Sequence, residues 1–244
     1  MRRTSTYSNL IHFINTYSIW VVLGSFFSHL FFCKIYGVEP NYVIASGLAI
    51  GVWVIYTLDH LLDGITLKDK AVTRRHKEHF LQRQKIKKIV GVATLILFVL
   101  SYWIPREYYI FIGILLGCTL VHFAMNYLVP MRFKKLLFLK EFFVAFVVSL
   151  GIASTALIGN FKATSNASSF PFWIFLFINL ANVILFSYFD KDDDEKSETL
   201  SIAGIHSDQT LKGVIYACLL LSIGLTTWDF LSNQLILKLH MRYF

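Results

Sequence analysis

Apolar runs long enough to cross a bilayer recur along this chain, and the charges lie in the short segments between them. A helix needs about 20 mostly apolar residues to span the hydrocarbon. Seven stretches qualify, at about 14–33, 42–62, 88–105, 108–127, 138–158, 171–189 and 212–229. Backbone groups in hydrocarbon have to be hydrogen-bonded within their own segment, so such runs fold as helices. The sequence therefore predicts an all-α polytopic membrane protein with a single helical domain over residues 1–244. Only 16% of its residues are charged, against about 25% in soluble domains, and no hydrophilic stretch suits a second domain. The last stretch, LSNQLILKLHMRYF, is too polar for an eighth span and reads as a short interfacial helix.

The net charge of +8 does not call for a nucleic-acid partner, because the basic residues fall in alternate loops. The loop after the second span holds nine Lys and Arg, and the loop after the fourth holds three. The loop after the sixth carries Lys191 and Lys196, whereas the intervening loops have one basic residue each. Excess Lys and Arg mark cytoplasmic loops. The N-terminus and the basic loops are thus expected inside and the C-terminus outside. No cleavage site follows the first apolar run, so it reads as a retained span. Cys33, Cys118 and Cys218 form no CxxC pair and suggest neither disulfides nor a zinc site. Asn166 begins an N-x-S sequon in an expected external loop.

Two acidic patches interrupt this plan. In YTLDHLLDG, Asp59 and Asp63 end the second span. In DKDDDEKSE, Asp190 and Asp194 repeat the same spacing where the sixth span ends. Residues i and i+4 share a helix face, so each pair sets like charges side by side, at a cost of about 0.2–0.5 kcal/mol. Proximity to hydrocarbon and to a helix C-terminus adds to that cost. A cation is the simplest compensation. Mg²⁺ uses one or two carboxylates and completes its shell with water and phosphate oxygens, so two facing pairs suit one or two Mg²⁺ ions holding a diphosphate. Lys68, Lys70, Arg74, Arg75, Arg132, Lys134 and Lys135 lie in the same-side loops and suit phosphate binding. Asp192, Asp193, Glu195 and Glu198 read as a solvated acidic loop. In RRHKEHF, His76 and His79 read as part of a solvated or phosphate-facing basic helix. His60 adjoins Asp59, where it could bind phosphate, bind metal or cap the helix; with carboxylates, histidine can also form transition-metal sites. His122 reads as a packed, hydrogen-bonded residue within the fourth span.

These motifs resemble the UbiA-type intramembrane prenyltransferase superfamily over roughly residues 10–230. In ANVILFSYFDKDDDEKSETL, Asn182, Asp190, Asp194, Lys196, Thr199 and Leu200 match the family's second acidic region. Asp59 and Asp63 match the end of the first, with Ile55 and Tyr56 where the family has Asn and Asp. NYLVPMRFKKLLFLKEF supplies Tyr127, Arg132, Lys134 and Lys140 at a Tyr-then-basic segment. The resemblance implies helices around a central cavity, here without the family's last two. It also implies Mg²⁺ on the four aspartates, and transfer of an isoprenyl group from its diphosphate to a lipophilic acceptor. A homodimer or another helical partner would then close the lateral wall. The residues alone also allow a noncatalytic module binding a polyprenyl or lipid phosphate, or a small transporter, although no inverted repeat is evident.

Overall fold

The computed structural model describes residues 6–68, 73–127, 137–158, 169–196 and 201–240. Among them, all regular structure is helical. Helices α1 (Thr6–Thr16) and α2 (Ile19–Ile35) meet at a bend of 72°, with Ser18 in the left-handed region at φ 55°. Asn41 caps α3 (Tyr42–Leu67) by accepting from the amides of Val43 and Ile44. Thr73 caps α4 (Arg74–Leu81) by accepting from that of His76. Then follow α5 (Arg83–Ser101), a 3-10 turn (Arg106–Tyr108), α6 (Tyr109–Tyr127), α7 (Leu137–Ile158), α8 (Phe170–Lys196), α9 (Ile202–Ile205) and α10 (Asp208–His240).

Among the described residues, five helical stretches are long and apolar enough to cross a membrane: Tyr42–Leu67, Arg106–Tyr127, Lys140–Ile158, Phe170–Lys196 and Asp208–Ser232. The bent α1–α2 pair makes a sixth if taken as one span. The stretch expected at 88–105 corresponds to α5, whose start carries Arg83, Lys85, Lys87 and Lys88. The apolar part that remains is shorter than the roughly 20 residues a straight span needs. Large apolar side chains face outward, among them Phe98 at 76% exposed and Leu220 at 68%. Lipid is the natural cover for such a surface, and the chain is an integral membrane protein.

Three helix ends differ from the sequence reading. α3 runs on to Leu67 and α8 to Lys196, beyond the expected span ends at 62 and 189, so both acidic pairs sit on helices as their spacing implies, and Asp192, Asp193 and Glu195, expected in a solvated loop, are helical too. The C-terminal stretch continues α10 without a break to His240. Asn166 lies outside the described residues.

α3 packs against α2, α4, α5 and α7, and α7 also touches α6 and α8. Small residues on α7, Ala145, Ser149, Ala153 and Ala156, are buried and let neighbouring helices come close. Leu176, Leu180 and Ile184 of α8 pack on Leu211 and Cys218 of α10. A Lys191–Asp208 ion pair of 2.8 Å joins the same two helices. Val54 and Leu61 of α3 pack on Ile86 and Val90 of α5.

The tightest approach is between α3 and α4. A Cβ on Gly64 would lie 2.7 Å from the His76 carbonyl oxygen and 3.2 Å from the Phe80 amide nitrogen. Both are backbone atoms, so only glycine lets α4 lie this close. Gly64→Ala is expected to destabilise the protein by about 1–2 kcal/mol through overpacking, despite the higher helix propensity of alanine. Gly213→Ala, which meets nothing within 4 Å, should be neutral or stabilising. Thermal melts in detergent, with hydrogen exchange over residues 74–81, check both.

Candidate metal centre

His60 and Asp63 are three residues apart on α3 and so share a face. α4, pressed against that face at Gly64, delivers His76. His60, Asp63 and His76 each offer a ligand atom, and these atoms all lie within 4.8 Å of one another. His76 Nε2 is 3.7 Å from Asp63 Oδ2. His60 is 8% exposed, and its ring centroid lies 5.8 Å from that of His76. The Asp63 side chain keeps 38% of its surface, so the cluster opens on one side. Such a His/Asp triad can coordinate a divalent cation within a membrane-embedded bundle.

The surroundings fix each ring. Arg75 Nη1 lies 3.4 Å from His60 Nε2; guanidinium has no acceptor, so the imidazole nitrogen accepts. His79 is fully buried, donates from Nδ1 to the Arg75 carbonyl at 2.9 Å, and packs its ring on Tyr17. Trp53 Nε1 donates to the Tyr17 carbonyl at 2.9 Å, tying the α1–α2 bend to α3. His60 Nδ1, His76 Nδ1 and His79 Nε2 are buried without a hydrogen-bond partner, as is His122 Nδ1 on α6.

Asp59, one turn earlier on α3, is engaged by α6. Its Oδ1 accepts from Asn126 Nδ2 at 3.3 Å and lies 3.8 Å from His122 Nε2. Tyr127 Oη donates to Asp63 Oδ1 at 2.9 Å and is 3.3 Å from Asp59 Oδ1, so one phenol bridges the two aspartates. α7 brings Lys140 and Glu141, whose charges act on Asp59. From α8, Asp194 acts on Asp63 and Glu141, and Asp190 on Arg75.

The structure thus brings Asp59, Asp63, Arg75, Tyr127, Lys140, Asp190 and Asp194 to one end of the bundle. Lys68 ends α3 with an exposed side chain. Lys196 is exposed and lies 3.9 Å from Asp193. Asn182 sits on an exposed face of α8. The Arg74 side chain and residues Lys70, Arg132, Lys134, Lys135, Thr199 and Leu200 lie outside what is described.

The sequence reads His76 and His79 as part of a solvated or phosphate-facing basic helix, whereas both pack against His60 of α3. Asn126 and Glu141 were passed over, although a Lys–Glu pair at the head of an apolar run is a signal in itself. Two cavities, of about 490 Å³ between α8, α9 and α10 and about 190 Å³ beside His29 and Glu39, do not include the triad.

No protein-family model, no curated protein and no solved structure matches the chain. The electrostatics of α4 give a direct test. Burial, reinforced by the Arg75 charge, pushes His76 down to about 4 from its ordinary 6.5. Burial likewise lowers His79. Both rings are therefore neutral at pH 7, the form that binds metal. Between about 6.5 and 4 the unfolded chain binds more protons at His76 than the folded one, so stability falls as pH drops through this window. Asp59, His60 and Asp63 of α3, with Arg75 and His79 of α4, are charged and titratable groups facing it. Relative to His76→Gln, the melting midpoint of the metal-free wild-type protein should decline over that range.

Proposed function

We propose that the protein is a divalent-cation-dependent intramembrane transferase, moving an isoprenyl group from a prenyl diphosphate to a lipophilic acceptor. One observation carries this reading: a His/Asp triad meets Arg75, Lys140 and the acids of α8 at one end of an apolar bundle. A lipid with a charged head and a hydrocarbon tail suits that division. The UbiA-type resemblance of the acidic motifs adds the isoprenyl diphosphate as donor.

A divalent ion on the triad would supply positive charge for a leaving diphosphate. Arg75 and Lys140 would hold the phosphate oxygens, Arg75 by its planar fork. The donor C–O bond would break with its electron pair passing to the diphosphate. Tyr56, whose ring lies 6.3 Å from that of His60, would offer its aromatic face to the allylic cation. An electron pair of the acceptor would form the new bond, and its proton would pass to Asp59. Tyr127 would keep Asp59 and Asp63 in register. In this reading the site faces the cytoplasm with the N-terminus, and a homodimer or helical partner closes the lateral wall.

The test is incubation of the purified protein with divalent cations, isoprenyl diphosphates of several lengths and a panel of lipophilic acceptors. Diphosphate release is expected, falling on the order of 100-fold in Asp63→Asn and less in Asp190→Asn. The Ile55–Tyr56 departure motivates the second reading, a noncatalytic lipid-phosphate binder. Retained diphosphate binding without release across the panel would establish that reading and overturn the first.

A further inference from the structure

We infer that the ion held by His60, Asp63 and His76 is an imidazole-preferring transition cation such as Zn²⁺ or Fe²⁺, not Mg²⁺, and that Arg75 turns away from His60 to admit it. This rests on the triad as a metal centre and not on isoprenyl transfer.

The donor set decides the class of ion. Mg²⁺ demands near-octahedral oxygen at about 2.0–2.1 Å and sheds water reluctantly. The triad offers two nitrogens and one carboxylate. Asp59, the nearest further carboxylate on α3, is engaged by Asn126 and lies beside Tyr127 and His122. Imidazole suits Zn²⁺ and Fe²⁺, and two histidines with one carboxylate leave positions open for water or substrate. His60 is more than nine-tenths buried, yet its Nδ1 has no partner, and neither has His76 Nδ1. A buried polar atom left unsatisfied is costly, and an ion with its ordered water would remove part of that cost.

The position of Arg75 gives the second half of the inference. Its guanidinium already rests against the lone pair of His60 Nε2. An ion on Nε2 would need that place. An ion on Nδ1 would move the proton to Nε2, where two donors would then face each other. Arg75 has to leave in either case. Asp190 on α8 lies within its electrostatic reach and offers the alternative partner. Arg75 thus acts as a resident cation exchanged for the metal, linking metal loading on α3–α4 to the acids of α8.

The full chain, purified in detergent with any affinity tag removed and stripped with chelator, is equilibrated with Zn²⁺, with Fe²⁺ under anaerobic conditions, or with Mg²⁺. Metal is counted by mass spectrometry after desalting. Stoichiometric Zn²⁺ or Fe²⁺ should be retained against a large excess of Mg²⁺. Co²⁺ loaded into the wild-type protein should show ligand-field bands of nitrogen coordination, a readout independent of variant folding. His60→Gln and His76→Gln should weaken Zn²⁺ binding by roughly 100-fold. Arg75→Met should tighten it by about tenfold, with the competing cation removed. Zn²⁺ binding unchanged in both histidine variants, Co²⁺ spectra without nitrogen ligation, or Mg²⁺ displacing Zn²⁺ would overturn the inference. Arg75→Met binding no tighter than wild type would overturn the exchange. Diphosphate release with Mg²⁺ alone would overturn this proposal and leave isoprenyl transfer standing. Nitrogen-bound Zn²⁺ without diphosphate release would do the reverse.

Discussion

The backbone contact at Gly64 governs the polar end of the molecule. With no side chain there, α4 comes to rest on α3 with the His76 carbonyl 2.7 Å from where a Cβ would stand. Every feature of the triad follows from that approach. His60 becomes buried, His76 reaches Asp63, and Arg75 is carried onto the His60 ring. His79 fills the remaining space against Tyr17, and Tyr17 is held by Trp53. A helix of eight residues, five of them basic or histidine, has little reason to fold alone; its order comes from this docking.

The membrane architecture was legible because hydrophobic length is a one-dimensional signal. Four expected spans coincide with long apolar helices, and a fifth with the longer α10. α5 is harder to read because its charges lie inside the helix and shorten its apolar part. The acidic pairs were legible by their spacing, and their meeting at one end of the bundle follows from the direction of the helices. The role of α4 was not legible. RRHKEHF has the composition of a solvated segment, and its histidines are covered by the close approach at Gly64 and by packing on Tyr17 and His60. A glycine just past an apolar run, three residues before the end of its helix, carries no mark of which helix will lie on it.

The two aspartates that look equivalent in sequence have separate surroundings. One turn of helix gives them a common face, but α4 covers the Asp63 side and α6 the Asp59 side. Asp63 therefore meets His76 of α4, whereas Asp59 meets the Asn126 amide and His122 of α6. Tyr127 spans the pair, so a shift of α6 would be felt at both. Asn182 illustrates the opposite limit: the resemblance assigns it to the site, yet it stands on an exposed face of α8.

The triad and the acids around it differ in how much of the chain they require. His60, Asp63 and His76 are close in sequence, on consecutive helices, and bringing together residues so near along the chain costs little chain entropy. Glu141 and Asp194 arrive only when α7 and α8 have packed. The centre is thus a local structure enclosed by a non-local one. During synthesis, the donors for an ion emerge well before the carboxylates that surround them, and the order of the chain sets an order of assembly.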